Sequence, residues 1–578
     1  IFFRCCCMRE LMPRNDVHTD VTTHSKSDDE IQEDPEAPLA PMSPKEKEAI
    51  EKKERPSVMR MMILVGVALF AIFMSQCLLW HSKKTTRFLP FTAGQTMCVM
   101  GAIFFVTLWC VIQVIAAFQA LDGPDFWEAY QRQKSQLVAD VHLKPITAAT
   151  EFSFIMALFY ICDRTDYLPR AEKHYDRDTY WFIWVAIIGA SLFTIKKEAN
   201  VPASGHVLPL QRDQTEEWKG WMQIQFLMYH YFHATEYYNA IRCYIAAYVW
   251  MTGFGNFSFY YVKADFGLTR FCAMQWRLNF FVIWCCLALN NQYMLYYICM
   301  LHTTFTVIIY GTLAVLPKLN HDFTGIRIKF VLMSAAIVFI WNVPGVFDVL
   351  WYPLFPLLNY KEDMHEWRFR STLDHLVWIT GMMTAFMHPI WDSCLIKLDA
   401  LKPKLQYSIK AAVVAVCLIL GYYWYSEIFV LEKRSYNSMH PYTSFIPITL
   451  YIILRNISSR LRQYHIHLFA WMGKITLETY ISQFHIWMTT LGPNENPKKL
   501  LRLMPDGYPL LNFALVSAMY VFISYRIFQV TGTMKNAFIP PGKDGVPSVS
   551  LTKRNLVVWP LIGAGVYAMA LLMTTFSH

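Results

Sequence analysis

Apolar runs recur along this chain at intervals that suit a membrane better than an aqueous core. They lie near 59 to 80, 93 to 118, 145 to 162, 179 to 195, 221 to 233, 240 to 259, 271 to 289, 293 to 316, 328 to 351, 373 to 391, 408 to 430, 441 to 454, 466 to 490, 510 to 528 and 555 to 575. Most meet the length of about 17 to 25 residues that crosses a bilayer as a helix, a few being marginal. The 578 residues are 55% hydrophobic and their mean hydropathy is +0.26, too apolar for a soluble chain with so many long runs. The sequence predicts an all-α fold, a polytopic transmembrane bundle of roughly 13 to 15 helices, with membrane lipid as its surroundings.

Charge and cysteine usage exclude other classes. The net charge of +9 is spread over loops, as topology demands, and no basic block suits nucleic acid. Of the fourteen cysteines, most lie in apolar spans (Cys285, Cys286, Cys299 and Cys417), where they act as small hydrophobes, so no disulfide framework is expected. Cys5-Cys6-Cys7, beside Arg4 and Arg9, is a candidate acylation site. Residues 1 to 57 read as a disordered acidic tail and residues 58 to 578 as one multipass membrane domain; Lys52, Lys53, Arg55 and Arg60 favour a cytosolic tail, while Lys83, Lys84 and Arg87 in the next loop argue the opposite, which leaves both orientations open. No cleavable signal sequence is expected ahead of the first span. The longest internal polar loops, 119 to 144, 163 to 178 and 196 to 217, are too short for a second domain, so any chemistry belongs to the membrane domain or to a partner.

Within the apolar pattern, the stretch from Glu216 to His230 stands apart. Eleven steps of about 100° bring His230 within roughly 20° of Lys219, some 17 Å further along a helix. Gln223 lies near the same line, and His233 and Tyr237 extend it. A polar face of this kind must look into protein or a wet cavity; the plainer alternative is a snorkelling Lys219 and a His230 that only bonds a neighbouring helix.

Other constellations follow. Gly253 and Gly255 permit close approach of a helix or ligand. Lys263, Arg270 and Arg277, seven residues apart, predict a cationic stripe on one helix, suited to phosphates if not merely to topology. Glu366, Arg370 and Asp374 repeat every four residues, either as surface ion pairs or as a row that binds a hydroxyl-rich substrate. Glu478, Ser482 and His485 share a face, and an intramembrane carboxylate beside a histidine is a functional candidate. His302, His388, His440, His465 and His467 lack a paired acid at a telling spacing and read as structural. Without HExxH or clustered Cys/His spacing, no metal is expected. No GxSxG elbow, Walker loop or Rossmann fingerprint is present.

Taken in order, Lys219-Gly220 to His230, Thr252-Gly253-Phe254, the Arg270/Arg277 segment and Gly473 to His485 resemble the landmarks of the integral-membrane O-acyltransferases that use acyl-CoA. The likeness is closest to the eukaryotic branch that holds the plant Reduced Wall Acetylation proteins, the fungal capsule O-acetylation protein and the membrane half of the animal sialate O-acetyltransferase. Phe159 to Thr165, Glu216 to Phe232, Tyr248 to Phe259, His365-Glu366-Trp367 with Phe369-Arg370-Ser371, and Phe469 to Trp487 resemble the plant proteins in particular. The likeness covers roughly residues 144 to 540; His375 departs from the arginine of the plant pattern.

The resemblance implies an acyltransferase of the Golgi membrane that takes acetyl from cytosolic acetyl-CoA and delivers it towards hydroxyls of a lumenal cell-wall polysaccharide or other glycan. It implies His230 as general base or transient acetyl carrier, Lys219 at the thioester and Glu478 orienting the imidazole. Arg270, Arg277 and Lys263 would bind coenzyme A phosphates, and Glu366, Arg370, Asp374, Gln483 and His485 would lie on the substrate side. It also implies a separate lumenal SGNH-type partner of the trichome-birefringence-like class. Two rivals stand beside this reading. An acetyl-donor transporter without acyl chemistry fits many helices and a polar core, and a scaffold for lumenal transferases does not explain the cost of buried ionisable groups.

Overall fold

The computed structural model describes residues 58–84, 91–121, 125–198, 206–354, 364–490, 492, 497–542 and 546–576. The expected acidic tail and the Cys5-Cys6-Cys7 site lie outside them. The chain divides into two units, Ile1–Val67 and Ala68–His578. In the first, the described residues begin a helix at Val58. Everything discussed below belongs to the second.

Among the described residues the fold is helical with five short strands. The helices that build the candidate site are labelled in chain order: α1 (Asp140–Arg164), α2 (Arg212–Phe232), α3 (Tyr238–Lys263), α4 (Leu268–Leu289), α5 (Tyr297–Ala314), α6 (His365–Asp374), α7 (Val377–Asp399), α8 (His467–Lys474), α9 (Thr476–Ser482) and α10 (Pro509–Phe538). Nine helices among the described residues are long and apolar enough to cross a membrane, fewer than the 13 to 15 expected. The difference has a physical basis. The apolar run at 221 to 233 is the second half of α2, whose first half carries Arg212, Asp213, Glu216, Glu217 and Lys219. The run at 466 to 490 is broken into α8, α9, a wide π turn at Gln483–Trp487 and a strand. The run at 441 to 454 begins inside a helix that ends at Thr443 and continues in Phe445–Asn456.

Local stereochemistry sets the ends. α2 stops because His233 turns left-handed (φ 58), and the amides of His233 and Ala234 both donate to the Tyr229 carbonyl. His233 and Tyr237 therefore do not extend the polar face. Ala264 (φ 48) ends α3 in the same way, and Gly267 opens α4. The single stripe expected for Lys263, Arg270 and Arg277 is thus cut: Lys263 is exposed at the end of α3, while Arg270 and Arg277 share α4.

Glycines weld two helix pairs. A Cβ on Gly220 of α2 would lie 1.8 Å from the Phe469 carbonyl oxygen, and one on Gly473 of α8 would lie 2.0 Å from that of Glu216. α3 and α7 repeat the device: Gly253 faces the Trp378 carbonyl at 1.9 Å and Gly381 faces that of Trp250 at 2.2 Å. Small residues let the backbones touch, the source of attraction between helices when lipid offers no hydrophobic gain.

Short antiparallel strands tie the loops. β1 (Arg170–Glu172) and β4 (Met488–Thr489) flank β5 (Lys499–Leu501), with Arg170 opposite Leu501 and Met488 opposite Leu500. β2 (Ile195–Lys197) pairs β3 (Tyr464–Ile466), with Lys196 opposite His465.

Candidate functional site

The polar face of α2 survives folding from Glu216 to His230. Lys219 pairs with Glu216 one turn earlier at 2.7 Å. The Tyr248 hydroxyl of α3 donates to the Lys219 carbonyl at 2.6 Å and reaches the Gln223 side-chain oxygen at 3.2 Å. The Gln223 amide donates to Thr479 Oγ1 at 3.1 Å. Lys219 is therefore held by a carboxylate rather than free in lipid.

His230 differs. Its ring lies against Phe226, Tyr229 and Phe484, with centroids 4.6, 5.2 and 6.2 Å away. It is half-buried, and no hydrogen bond or ion pair to the imidazole is formed by any described residue. Its backbone carbonyl accepts from Lys173 Nζ at 2.9 Å, which places a cation at the negative end of α2. Lys173 has no carboxylate partner among the described residues, and burial pushes its amine down to about 8. Arg370 is the other cation whose field reaches His230 from a neighbouring helix. It sits over the Tyr297 ring at 4.7 Å and pairs with Glu366 at 2.7 Å. Both members of that pair remain partly open.

At the other end of α2 lies a cavity of about 1210 Å³. Lys134, Lys144, Arg212, Arg270, Arg277, Arg526 and Lys535 line it against two carboxylates, Glu151 and Glu478. So large an excess of fixed positive charge suits a polyanion. Arg270 and Arg277 meet there as expected; Lys263 does not. The Arg270 guanidinium stacks on the Phe259 ring at 3.8 Å. Arg277 makes a two-pronged pair with Glu478, the second prong at 2.9 Å. Arg212 and His230 are eighteen residues apart, about 27 Å along the helix, so the cavity and the free imidazole stand at opposite ends of α2.

Several expected roles change. Glu478 is 1% exposed and clamps Arg277, so it does not orient His230, which is level with Phe484. Arg277 is 35% exposed while Glu478 is buried, so removing Arg277 leaves the carboxylate buried without its partner and is expected to cost about 1–3 kcal/mol. Arg277→Met should therefore lower the melting temperature in detergent sharply, and Arg277→Met combined with Glu478→Gln should recover most of the loss; a single variant as stable as the double would refute this.

Asp374 does not join the Glu366/Arg370 row. It is fully buried against Arg242, 2.8 Å away, with His440 at 3.4 Å. His485 is also fully buried. Its Nδ1 meets Asp163 at 2.8 Å and its Nε2 meets the Tyr296 hydroxyl at 2.5 Å. Arg164, on Asp163 at 2.9 Å, further bonds Asn291 and the Leu289 carbonyl. No ring nitrogen of His485 remains for a substrate. Gln483 is buried too, its amide donating to the Tyr480 carbonyl at 2.9 Å. These groups brace the site from behind.

Sequence reasoning missed Lys173, Arg242, Asp163 and Tyr296. A signal existed for two of them: Asp163-Arg164 ends an apolar span, and Arg242 sits alone in one, where an unpaired charge is expensive. It also left His440 without an acid that the fold supplies.

The description "10 TM acyl transferase domain found in Cas1p" matches residues 57–549. The chain belongs to this family. The Cas1p-type domain is thus a multipass membrane acyltransferase domain, and it accounts for nearly all the residues placed above. The zebrafish (Danio rerio) protein named N-acetylneuraminate (7)9-O-acetyltransferase is 32% identical over 505 residues, covering 84% of this chain and 61% of the relative. The chain therefore spans less than two thirds of that relative's length. No solved structure matches it.

Proposed function

We propose that this Cas1p-type protein is an O-acetyltransferase of the Golgi membrane, taking acetyl from cytosolic acetyl-CoA and passing it to hydroxyls of a lumenal glycan. The observation that carries this reading is the pairing, on one membrane-length helix, of a cationic cavity at the start with a free imidazole near the end. The phosphates of coenzyme A would occupy the cavity, and the slim thioester arm would run along the polar face past Lys219 towards His230. The imidazole, whose ordinary pKa lies near neutrality, would take the acceptor proton or carry the acetyl group in transit. Arg370 and Glu366, both partly open, would meet the acceptor.

The acceptor class follows from two likenesses. The plant resemblance favours cell-wall polysaccharide, reached directly or through an SGNH-type transferase. The zebrafish relative's name points to a sialic acid for that protein. Either way the acceptor is a sugar hydroxyl.

The test uses purified protein in liposomes with acetyl-labelled acetyl-CoA outside. Free CoA outside with label on a lumenal acceptor is the expected result. Intact acetyl-CoA inside would make the protein a transporter and overturn the proposal. A second measurement addresses the donor site. Because Arg277 is tied to Glu478, Arg270→Gln is the cleaner probe. Loss of one charge-assisted contact of about 1.5 kcal/mol should raise the donor KM about tenfold with kcat at saturation unchanged. An unaltered KM would remove Arg270 from the donor site.

A further inference from the structure

We propose that Glu198, Asp213 and His465 form a binding site for a divalent transition metal of the zinc class. The three come from the chain just after β2, the first turn of α2 and β3, and their ligand atoms all lie within 4.8 Å of one another. His465 Nδ1 and Glu198 Oε2 are 3.7 Å apart. Bonds of about 2.0–2.2 Å to a tetrahedral ion place ligand atoms about 3.3–3.6 Å from each other, so the His465–Glu198 pair is within a few tenths of an ångström of bonding geometry, while Asp213, within 4.8 Å of both, would close the remaining gap by side-chain rotation.

A second observation separates this cluster from a chance gathering of acids. His465 is 7% exposed, and both its Nδ1 and Glu198 Oε2 are buried without a hydrogen-bond partner. Buried polar atoms without a hydrogen-bond partner are rare and costly, and two of them 3.7 Å apart fit a cation shared between them. The backbone holds the donors in place: Lys196 faces His465 across the β2–β3 ladder, and the Glu198 amide donates to the Gln463 carbonyl at 2.8 Å.

The donor set selects the metal. One imidazole with two carboxylates suits zinc, whereas calcium and magnesium call for oxygen alone. Three protein ligands leave one tetrahedral position open. The ion would clip the long-range β2–β3 strand pair to the first turn of α2, next to Arg212 on the cavity wall, and so fix the start of that helix. This role does not depend on the proposed acyl chemistry.

The full chain, purified in detergent and stripped with chelator, is titrated with Zn²⁺ against a chromogenic chelator, and its melting temperature is followed in parallel. We expect one tight equivalent and a higher melting temperature on binding. His465→Ala and Glu198→Gln should each weaken this site at least tenfold, while His321→Ala, at an exposed histidine, should leave it unchanged. Co²⁺ added to the wild-type protein should give the visible absorption of a tetrahedral site, a readout that needs no variant to fold. Absence of a tight equivalent, or equal affinity in wild type and His465→Ala, would overturn the proposal and reduce the cluster to a His465–Glu198 ion pair.

Discussion

His230→Ala is expected to leave a folded membrane protein that no longer transfers acetyl to its acceptor. The imidazole makes no polar contact with any described residue, so truncating it orphans no partner, and the aromatic rings of Phe226, Tyr229 and Phe484 can close over the gap. Loss of a general base alone lowers turnover by about 10²–10⁴. Loss of a covalent carrier removes the route altogether. The two roles separate in the absence of acceptor: a carrier catalyses exchange of label between CoA and acetyl-CoA and a base does not. If His230→Ala transfers acetyl at the wild-type rate, the imidazole has neither role. The measurement is acceptor acetylation in liposomes, normalised to monodisperse protein.

Gly220→Ala is expected to be the most damaging glycine-to-alanine change among the described residues. Its Cβ would sit 1.8 Å from the Phe469 carbonyl oxygen, and backbone cannot swing aside as a side chain can. Overpacking typically costs about 1–3 kcal/mol and occasionally more, and a clash with a rigid carbonyl belongs at the top of that range. Gly473→Ala should behave alike, since the two glycines face each other across one crossing. Gly101→Ala and Gly311→Ala provide the contrast, because nothing lies within 4 Å of either new methyl. In a helix interior such a change gains roughly 0.5–1 kcal/mol. The same chemical substitution should thus lower the melting temperature at 220 and 473 and hold or raise it at 101 and 311. Equal effects at all four positions would mean that α2 and α8 are not in backbone contact.

The consequence for function is geometric. The α2–α8 weld lies between the cavity and His230, and the same segment of chain supplies α9 with Glu478 and Thr479. A shift there would move Arg277 and the Gln223 contact together. The glycines that mark Lys219-Gly220 and Met472-Gly473-Lys474 in the sequence are therefore packing residues, although they sit beside groups with candidate chemical roles.

What the sequence determined by itself was the solvent and the polar faces. Long apolar runs dictate helices in lipid, because every backbone amide there must be satisfied within its own segment. The period of 3.6 residues then places Lys219, Gln223 and His230 on one side whatever the helix packs against. Local i,i+4 spacing likewise announced the Glu366–Arg370 pair. Tertiary structure decided which charges are free. Asp374 was spacing-matched to Arg370 but bonds Arg242, 132 residues away. His485 shares a face with Glu478 but bonds Asp163 across 322 residues. Arg277 looked like a free cation and is paired with Glu478 across 201 residues. The reason is that burying a charge in a low-dielectric interior demands the nearest opposite charge in space, and in a bundle that partner comes from whichever helix packs alongside. Periodicity reports the face a residue occupies; only the packing reveals what stands opposite, which is why the sequence could put His230 on the polar face but only the folded chain shows its imidazole unpaired by every described neighbour.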